Sequence, residues 1–191
     1  MMNKDAERDW PTAILKENPA LLVSVVYFSA SSIGMFYSWA FLRHFGVNVF
    51  NFAQISDFLL ASLKEPMTWL LVSFAMLLML VDNAFSRRHQ KKSKKKWLQW
   101  YGSSTYRSIN YVVLICMVVL FLYVYADNKA EKVRSGKGEQ VSVTLASNDV
   151  PQNAILLGTT GQFIFLYDAE TRQVDIHPNE NVQTISLLAL D

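Results

Sequence analysis

Apolar residues along this chain gather in three long stretches that contain almost no charge. The stretches cover residues 20–42, 67–85 and 109–126. A helix needs roughly 20 apolar residues, within a range of about 17–25, to cross a bilayer. Inside lipid each segment has to satisfy its own backbone hydrogen bonds, so each is expected to be helical. The pattern therefore predicts three transmembrane helices within a transmembrane domain of residues 20–126.

After residue 138 the pattern changes to short runs in which apolar and polar residues alternate, as is typical of β-strands. Strands are predicted at 140–146, 154–157, 161–167, 173–177 and 182–190, with turns at 168–172 and 178–181. The predicted fold class is an α-helical membrane protein with a small C-terminal all-β domain, residues 139–191, built as an SH3-like or Sm-like curled sheet or barrel.

The third predicted strand is apolar on both faces. Side chains alternate along a strand, so Phe163, Phe165 and Tyr167 share one face, and Ile164 and Leu166 share the other. A domain of this size has a small core of its own. Both faces are therefore expected to need cover, and packing against the outer loop helix or against identical domains is expected to supply it. The three aromatic residues are candidate interaction residues in a homo-oligomer.

The segment between the first two apolar stretches carries an amphipathic pattern. Four apolar residues recur at helical spacing, namely Ile55, Phe58, Leu59 and Leu63. They predict an outer helix over about 52–64, with Asp57 and Lys64 pointing away from its apolar face. Such a helix is expected to lie in the membrane interface, and lining the mouth of an oligomeric assembly is the alternative. Phe58 and Leu59 are further candidate interaction residues.

Charge is distributed unevenly, although the formal net charge is only +2. Residues 87–96 contain seven of the 18 basic residues and no acid, whereas residues 127–191 contain five basic and nine acidic residues. Short basic loops stay in the cytoplasm. This predicts a cytoplasmic leader (1–19), a basic cytoplasmic loop (86–108), a linker (127–138) and an exported β domain, periplasmic or extracellular. Candidate lipid and topology residues are Arg87, Arg88, Lys91, Lys92, Lys94, Lys95, Lys96, Trp97 and Trp100.

Asp82 is the charged residue nearest the interior of a predicted span, and an intramembrane acid is by default a candidate functional residue. Because Arg87 and Arg88 follow it closely, we expect Asp82 to lie at the cytoplasmic interface and pair with them. An ion or proton pathway is the alternative interpretation.

Catalytic chemistry has no sequence support. The three histidines, His44, His89 and His177, fall in separate segments, so they do not predict one metal site. The single cysteine, Cys116, excludes an internal disulfide. No phosphate-binding loop or hydrolase motif is present. We therefore predict no enzyme, no catalytic residue, no metal and no cofactor.

Composition limits the class of protein. The chain is 51% hydrophobic and 18% charged, against about 25% charged in soluble domains. This disfavours a simple globular enzyme or a disordered chain. The leading hypothesis is a bacterial-type, multi-pass inner-membrane protein that presents its β domain for partner binding or sensing, as an accessory, exclusion or defence component. Expected partners are membrane lipids and either further copies or another membrane or periplasmic protein, but no nucleic acid.

Two other functions stay open, a homo-oligomeric pore or gate and a membrane-bound enzyme with its site at the cytoplasmic interface. The outline of three spans and a small β domain is similar to that of the small-conductance mechanosensitive channels. In that family the β domain is cytoplasmic, whereas the charges here predict an exported domain. The glycine and alanine pattern of that family's pore helix is also not evident in residues 109–126, so no residue role is carried over.

Overall fold

The computed structural model describes residues 18–64, 67–75, 77–78, 81, 104–146 and 148–188. Its helices are α1 (Pro19–Arg43), α2 (Ile55–Lys64) and α3 (Ser104–Arg134), with a short 3-10 helix at Val49–Asn51. Two helical segments, Pro19–Arg43 and Ser108–Arg134, are long and apolar enough to cross a membrane. The described residues of the predicted span 67–85 are also helical.

Helices α1 and α3 end in the same way, at a glycine with a left-handed backbone. Gly46 has φ 77° and Gly136 has φ 78°. At the end of α1 the backbone N–H of Gly46 donates to the carbonyl of Arg43 at 3.0 Å. The backbone N–H of Val47 donates to the carbonyl of Leu42 at 3.1 Å. Gly136 and Lys137 repeat this pattern at the end of α3. The two hydrogen bonds satisfy carbonyls that a helix end would otherwise leave without partners.

Helix α3 extends further than the sequence predicted. The uncharged stretch stops at residue 126, and the charged residues after it were predicted as a linker over 127–138. The structure instead continues the helix to Arg134, so most of that linker is helical. Alanine, lysine, glutamate and arginine are strong helix formers, and the helix ends only where Gly136 permits the turn.

A five-stranded antiparallel sheet follows, as predicted. Its strands are β1 (Glu139–Leu145), β2 (Asn148–Thr159), β3 (Phe163–Asp168), β4 (Gln173–Pro178) and β5 (Val182–Leu187), in the order β4-β3-β2-β1-β5. Strand β2 is longer than the predicted 154–157 and includes Pro151. Pro151 lies where the register between β1 and β2 shifts, which is where a strand tolerates a residue without an N–H donor.

The two faces of β3 contribute to two separate cores, as the alternation predicted. Ile164 and Leu166 pack with Val141 and Val143 in a buried cluster on one face of the sheet. Phe165 and its aromatic neighbours instead belong to a larger cluster shared with α1, α3 and the loop between α1 and α2. The sheet is therefore packed against the ends of the helices.

Gly138 lies between α3 and the sheet, and a substitution there tests the packing of the sheet against the helices. A methyl group added there would overlap Cγ2 of Ile155, a buried core side chain. We expect Gly138→Ala to lower the free energy of unfolding by about 1–3 kcal/mol, the usual cost of overpacking. The measurement is thermal unfolding of the full chain in detergent. Gly158→Ala is the matched control, since nothing lies within 4 Å of the added methyl group. Equal stability of the two variants would contradict this packing.

Candidate functional site

One carboxylate joins the helical part of the chain to the sheet. Asp57 lies in the first turn of α2 and is only 6% exposed. Its Oδ1 accepts a hydrogen bond from the backbone N–H of Gly161 at 2.8 Å. Its Oδ2 accepts one from the backbone N–H of Gln54 at 2.9 Å. The side chain therefore caps the start of α2 and holds the turn between β2 and β3 at the same time.

Lys64 completes this junction from the other end of α2. Its Nζ donates to the carbonyl of Thr159 at 2.8 Å and lies 3.5 Å from Oδ1 of Asp57. The expectation that Asp57 and Lys64 point away from the apolar face of the helix was incomplete, because both side chains face the sheet. The two residues are seven positions apart, or two helical turns, and therefore lie on one face of the helix. This spacing is the sequence feature from which their shared orientation could have been predicted.

Aromatic side chains form the apolar half of the junction. The ring of Phe52 lies 5.3 Å from that of Phe163 and 5.7 Å from that of Phe165. Phe45 lies 5.1 Å from Tyr167. Edge-to-face contacts of this kind stabilise the fold in addition to the burial of the apolar surface of the rings. The aromatic face of β3 is thus covered by the chain's own loop, and Phe165 is only 1% exposed.

The other interaction candidates lie against α1. Phe58 is partly buried, and its ring is 5.4 Å from that of Phe28. The side chain of Leu59 is exposed, while its carbonyl accepts hydrogen bonds from the hydroxyls of Tyr27 and Ser31. These contacts attach α2 to α1 within the chain.

The predicted cytoplasmic features lie outside the described residues. They are Asp82, Arg87, Arg88, Lys91, Lys92, Lys94, Lys95, Lys96, Trp97 and Trp100. Within the part of the chain that the structure describes, no three His, Cys, Asp or Glu side chains are grouped to hold a metal ion.

A cavity of about 330 Å³ lies beside the junction, between α1, α2 and β2. Its wall includes the charged residues Asp57, Lys64, Lys129 and Glu139 as well as apolar residues of α1. Small-molecule sites in proteins have volumes of about 300–1,000 Å³. The cavity is at the lower end of that range.

Strand β5 is one edge of the sheet, and no strand among the described residues pairs with its outer side. Ile185 is 45% exposed and Leu187 is 68% exposed, although they pair with the buried residues Val143 and Val141 of β1. The strand contains no charged residue, proline or glycine. Proteins usually protect sheet edges with charges, prolines or bulges. Strand β5 has one register shift near its start, between the partners Val182 and Thr184, and residues 184–187 pair with β1 in regular register beyond it. The other edge, β4, carries Asp175 and ends at Pro178.

The molecule thus belongs to a general class: a sheet of five antiparallel strands carried on helices of membrane-spanning length. Comparisons with protein-family models, with curated proteins and with solved structures gave no match. The role of this chain has to follow from its own geometry.

Proposed function

We propose that this chain is a non-enzymatic, multi-pass inner-membrane protein whose β domain is a protein-binding module outside the cytoplasm. The strand bound at its open edge is β5 of a second copy, which makes the protein a homo-oligomer. The observation that carries the proposal is the uncharged edge strand with its exposed Ile185 and Leu187. Adding a strand to such an edge is a common mode of protein recognition.

The pattern of β5 is complementary to itself. When two copies pair antiparallel with Ser186 opposite Ser186, Ile185 of each copy lies opposite Leu187 of the other. Ile185 and Leu187 share the face of Val143 and Val141, because residues paired across β1 and β5 lie on one side of the sheet. The apolar core of each sheet then continues into the other. A two-fold pair of this kind closes on itself.

The helix directions support three spans. The C-terminal ends of α1 and α3 lie together, since Nδ1 of His44 is 3.6 Å from Oδ1 of Asp127. Further toward their N-terminal ends, residues 25–36 of α1 and 114–122 of α3 line one groove. The two helices are therefore parallel, which supports a return of the chain across the membrane between them. The helical residues 67–75 are consistent with the start of that return.

The contact between α2 and the sheet supports the predicted sidedness. Asp57 and Gly161 are hydrogen-bonded, so the outer helix and the β domain share one side of the membrane. In the proposed topology the basic run 87–96 is on the opposite side, which the charge rule assigns to the cytoplasm. Register shifts in three of the strand pairs favour the small, curled SH3-like or Sm-like sheet.

Cysteine cross-linking tests the β5 pairing. Opposed residues in antiparallel strands have Cα atoms about 4.5–5.5 Å apart, within the usual range for a disulfide. In a Cys116→Ser background, Ser186→Cys is expected to give a covalent dimer in intact cells, because the compartment outside the cytoplasm is oxidising. Gln173→Cys, on the exposed start of β4, is the control and should remain monomeric. Equal dimer yields from the two variants would argue against the pairing.

A further inference from the structure

A second cavity, of about 480 Å³, lies where the helix ends meet the turn between β3 and β4. It is lined by His44, Phe45, Arg134, Tyr167, Arg172 and Val174. Two of these residues are arginines, one is a histidine and none is a carboxylate. His44 faces Asp127 through Nδ1, whereas neither arginine has an ion pair in the described part of the chain. An anion bound between the two arginines would offset the repulsion of their like charges.

Two of the basic residues, His44 and Arg134, lie at the C-terminal ends of α1 and α3. Arg134 is the last residue of α3; its guanidinium donates a hydrogen bond to the carbonyl of His44 and lies 5.5 Å from the Phe45 ring centre. The Nδ1 of His44 faces Asp127, whereas its Nε2 is buried and has no hydrogen-bond partner in the described part of the chain.

Arg172 lies in the turn between β3 and β4 and has a left-handed backbone conformation. It is the only non-glycine residue with a positive φ, 58°, among the described residues. Left-handed positions favour glycine or asparagine. Its turn is held by Asp168, whose carboxylate accepts hydrogen bonds at 2.8 Å from the Thr171 hydroxyl and the Glu170 amide; these bonds lower the pKa of Asp168. The Arg172 side chain itself has no hydrogen bond or ion pair within the described residues.

The cavity lies at the level where the apolar part of the helices ends. The guanidinium of Arg43, the last residue of α1, lies 5.1 Å from the ring centre of Trp39. Basic and aromatic residues of this kind mark the headgroup region of a membrane.

We propose that this cavity is an oxyanion site that takes the phosphate group of an anionic phospholipid. Arg134 and Arg172, which line the cavity, supply the N–H donors. Arginine is suited to this chemistry because its planar fork can donate two hydrogen bonds to one phosphate. The site is separate from the β5 edge and does not depend on the pairing of two copies. It does rest on the proposed location of the protein in a membrane. A bound headgroup would tie the sheet to both helix ends.

Lipid titrations of the full chain in neutral detergent test the site. Short-chain phosphatidylglycerol is expected to raise the Tm in a saturable way, and short-chain phosphatidylcholine is not. Arg172→Gly should weaken the phosphatidylglycerol effect about ten- to hundredfold, the range for losing a charge-assisted hydrogen bond. This variant suits the left-handed backbone and should fold. Arg172→Lys retains the charge and should recover part of the affinity.

Lys137→Ala is the matched control, because it removes one positive charge from an exposed position that does not line the cavity. A saturable response to inorganic phosphate that also depends on Arg172 would identify a free oxyanion as a second source; a response to lipid alone would identify the headgroup. Three results would overturn the site: no saturable shift with either probe, equal loss in Lys137→Ala and Arg172→Gly, or an equal response to phosphatidylcholine.

Discussion

Asp57→Ala is expected to detach the sheet from the helices and to lower the free energy of unfolding by about 2–4 kcal/mol. The substitution leaves the backbone N–H groups of Gly161 and Gln54 without their acceptor. It also leaves Lys64 without its acidic partner. Because Lys64 is half exposed, water can solvate its ammonium, so the loss should stay below that of a fully buried ion pair. The measurement is the unfolding midpoint of the full chain in detergent, followed by far-UV circular dichroism.

Asp57→Asn separates the charge of this side chain from its shape. The carboxylate accepts from two backbone N–H groups, whereas an amide has only one oxygen and has to turn its NH₂ group toward the other donor. We therefore expect Asn to restore less than half of the stability lost in Asp57→Ala. Asp175→Asn, at an exposed position on β4, is the control and should change stability by less than about 0.5 kcal/mol. Wild-type stability of Asp57→Asn would show that the carboxylate does not hold the junction.

Local patterns explain why the sheet was predictable. Alternation in segments such as 163–168, together with turn residues such as those of 168–172, specifies strands and turns without knowledge of the rest of the chain. The two-sided pattern of β3 also predicted that its aromatic face needs cover. The end of α3 was missed, although Gly136 after basic residues is a recognised signal for a helix end.

The junction between α2 and the sheet could not be predicted from local sequence patterns. Asp57 and Gly161 are 104 residues apart in the chain, and neither lies in a motif that indicates the other. A polar residue on an amphipathic helix is usually solvated, and the sequence predicted only that Asp57 points away from the apolar face of the helix. Burial of its carboxylate depends on how the sheet is placed over α2, and that placement follows from tertiary packing of Phe45 and Phe52.

Leu187→Glu is expected to separate the two copies of the protein. The substitution places a charge in the apolar contact between the paired β5 strands, and it does so twice because the interface is two-fold. A central interface residue contributes about 2 kcal/mol or more. Two such losses give about 4 kcal/mol, close to a thousandfold in the dissociation constant. The sheet should remain folded, because Leu187 is 68% exposed in the single chain.

The mass of the protein particle in mild detergent tests the β5 pairing most directly, measured by light scattering with the detergent contribution subtracted. We expect two chains of 21.8 kDa for the wild type and for Gln173→Glu, which adds the same charge at the start of β4. For Leu187→Glu we expect one chain. A wild-type particle with one chain, or a Leu187→Glu particle that still holds two, would rule out the β5 pairing.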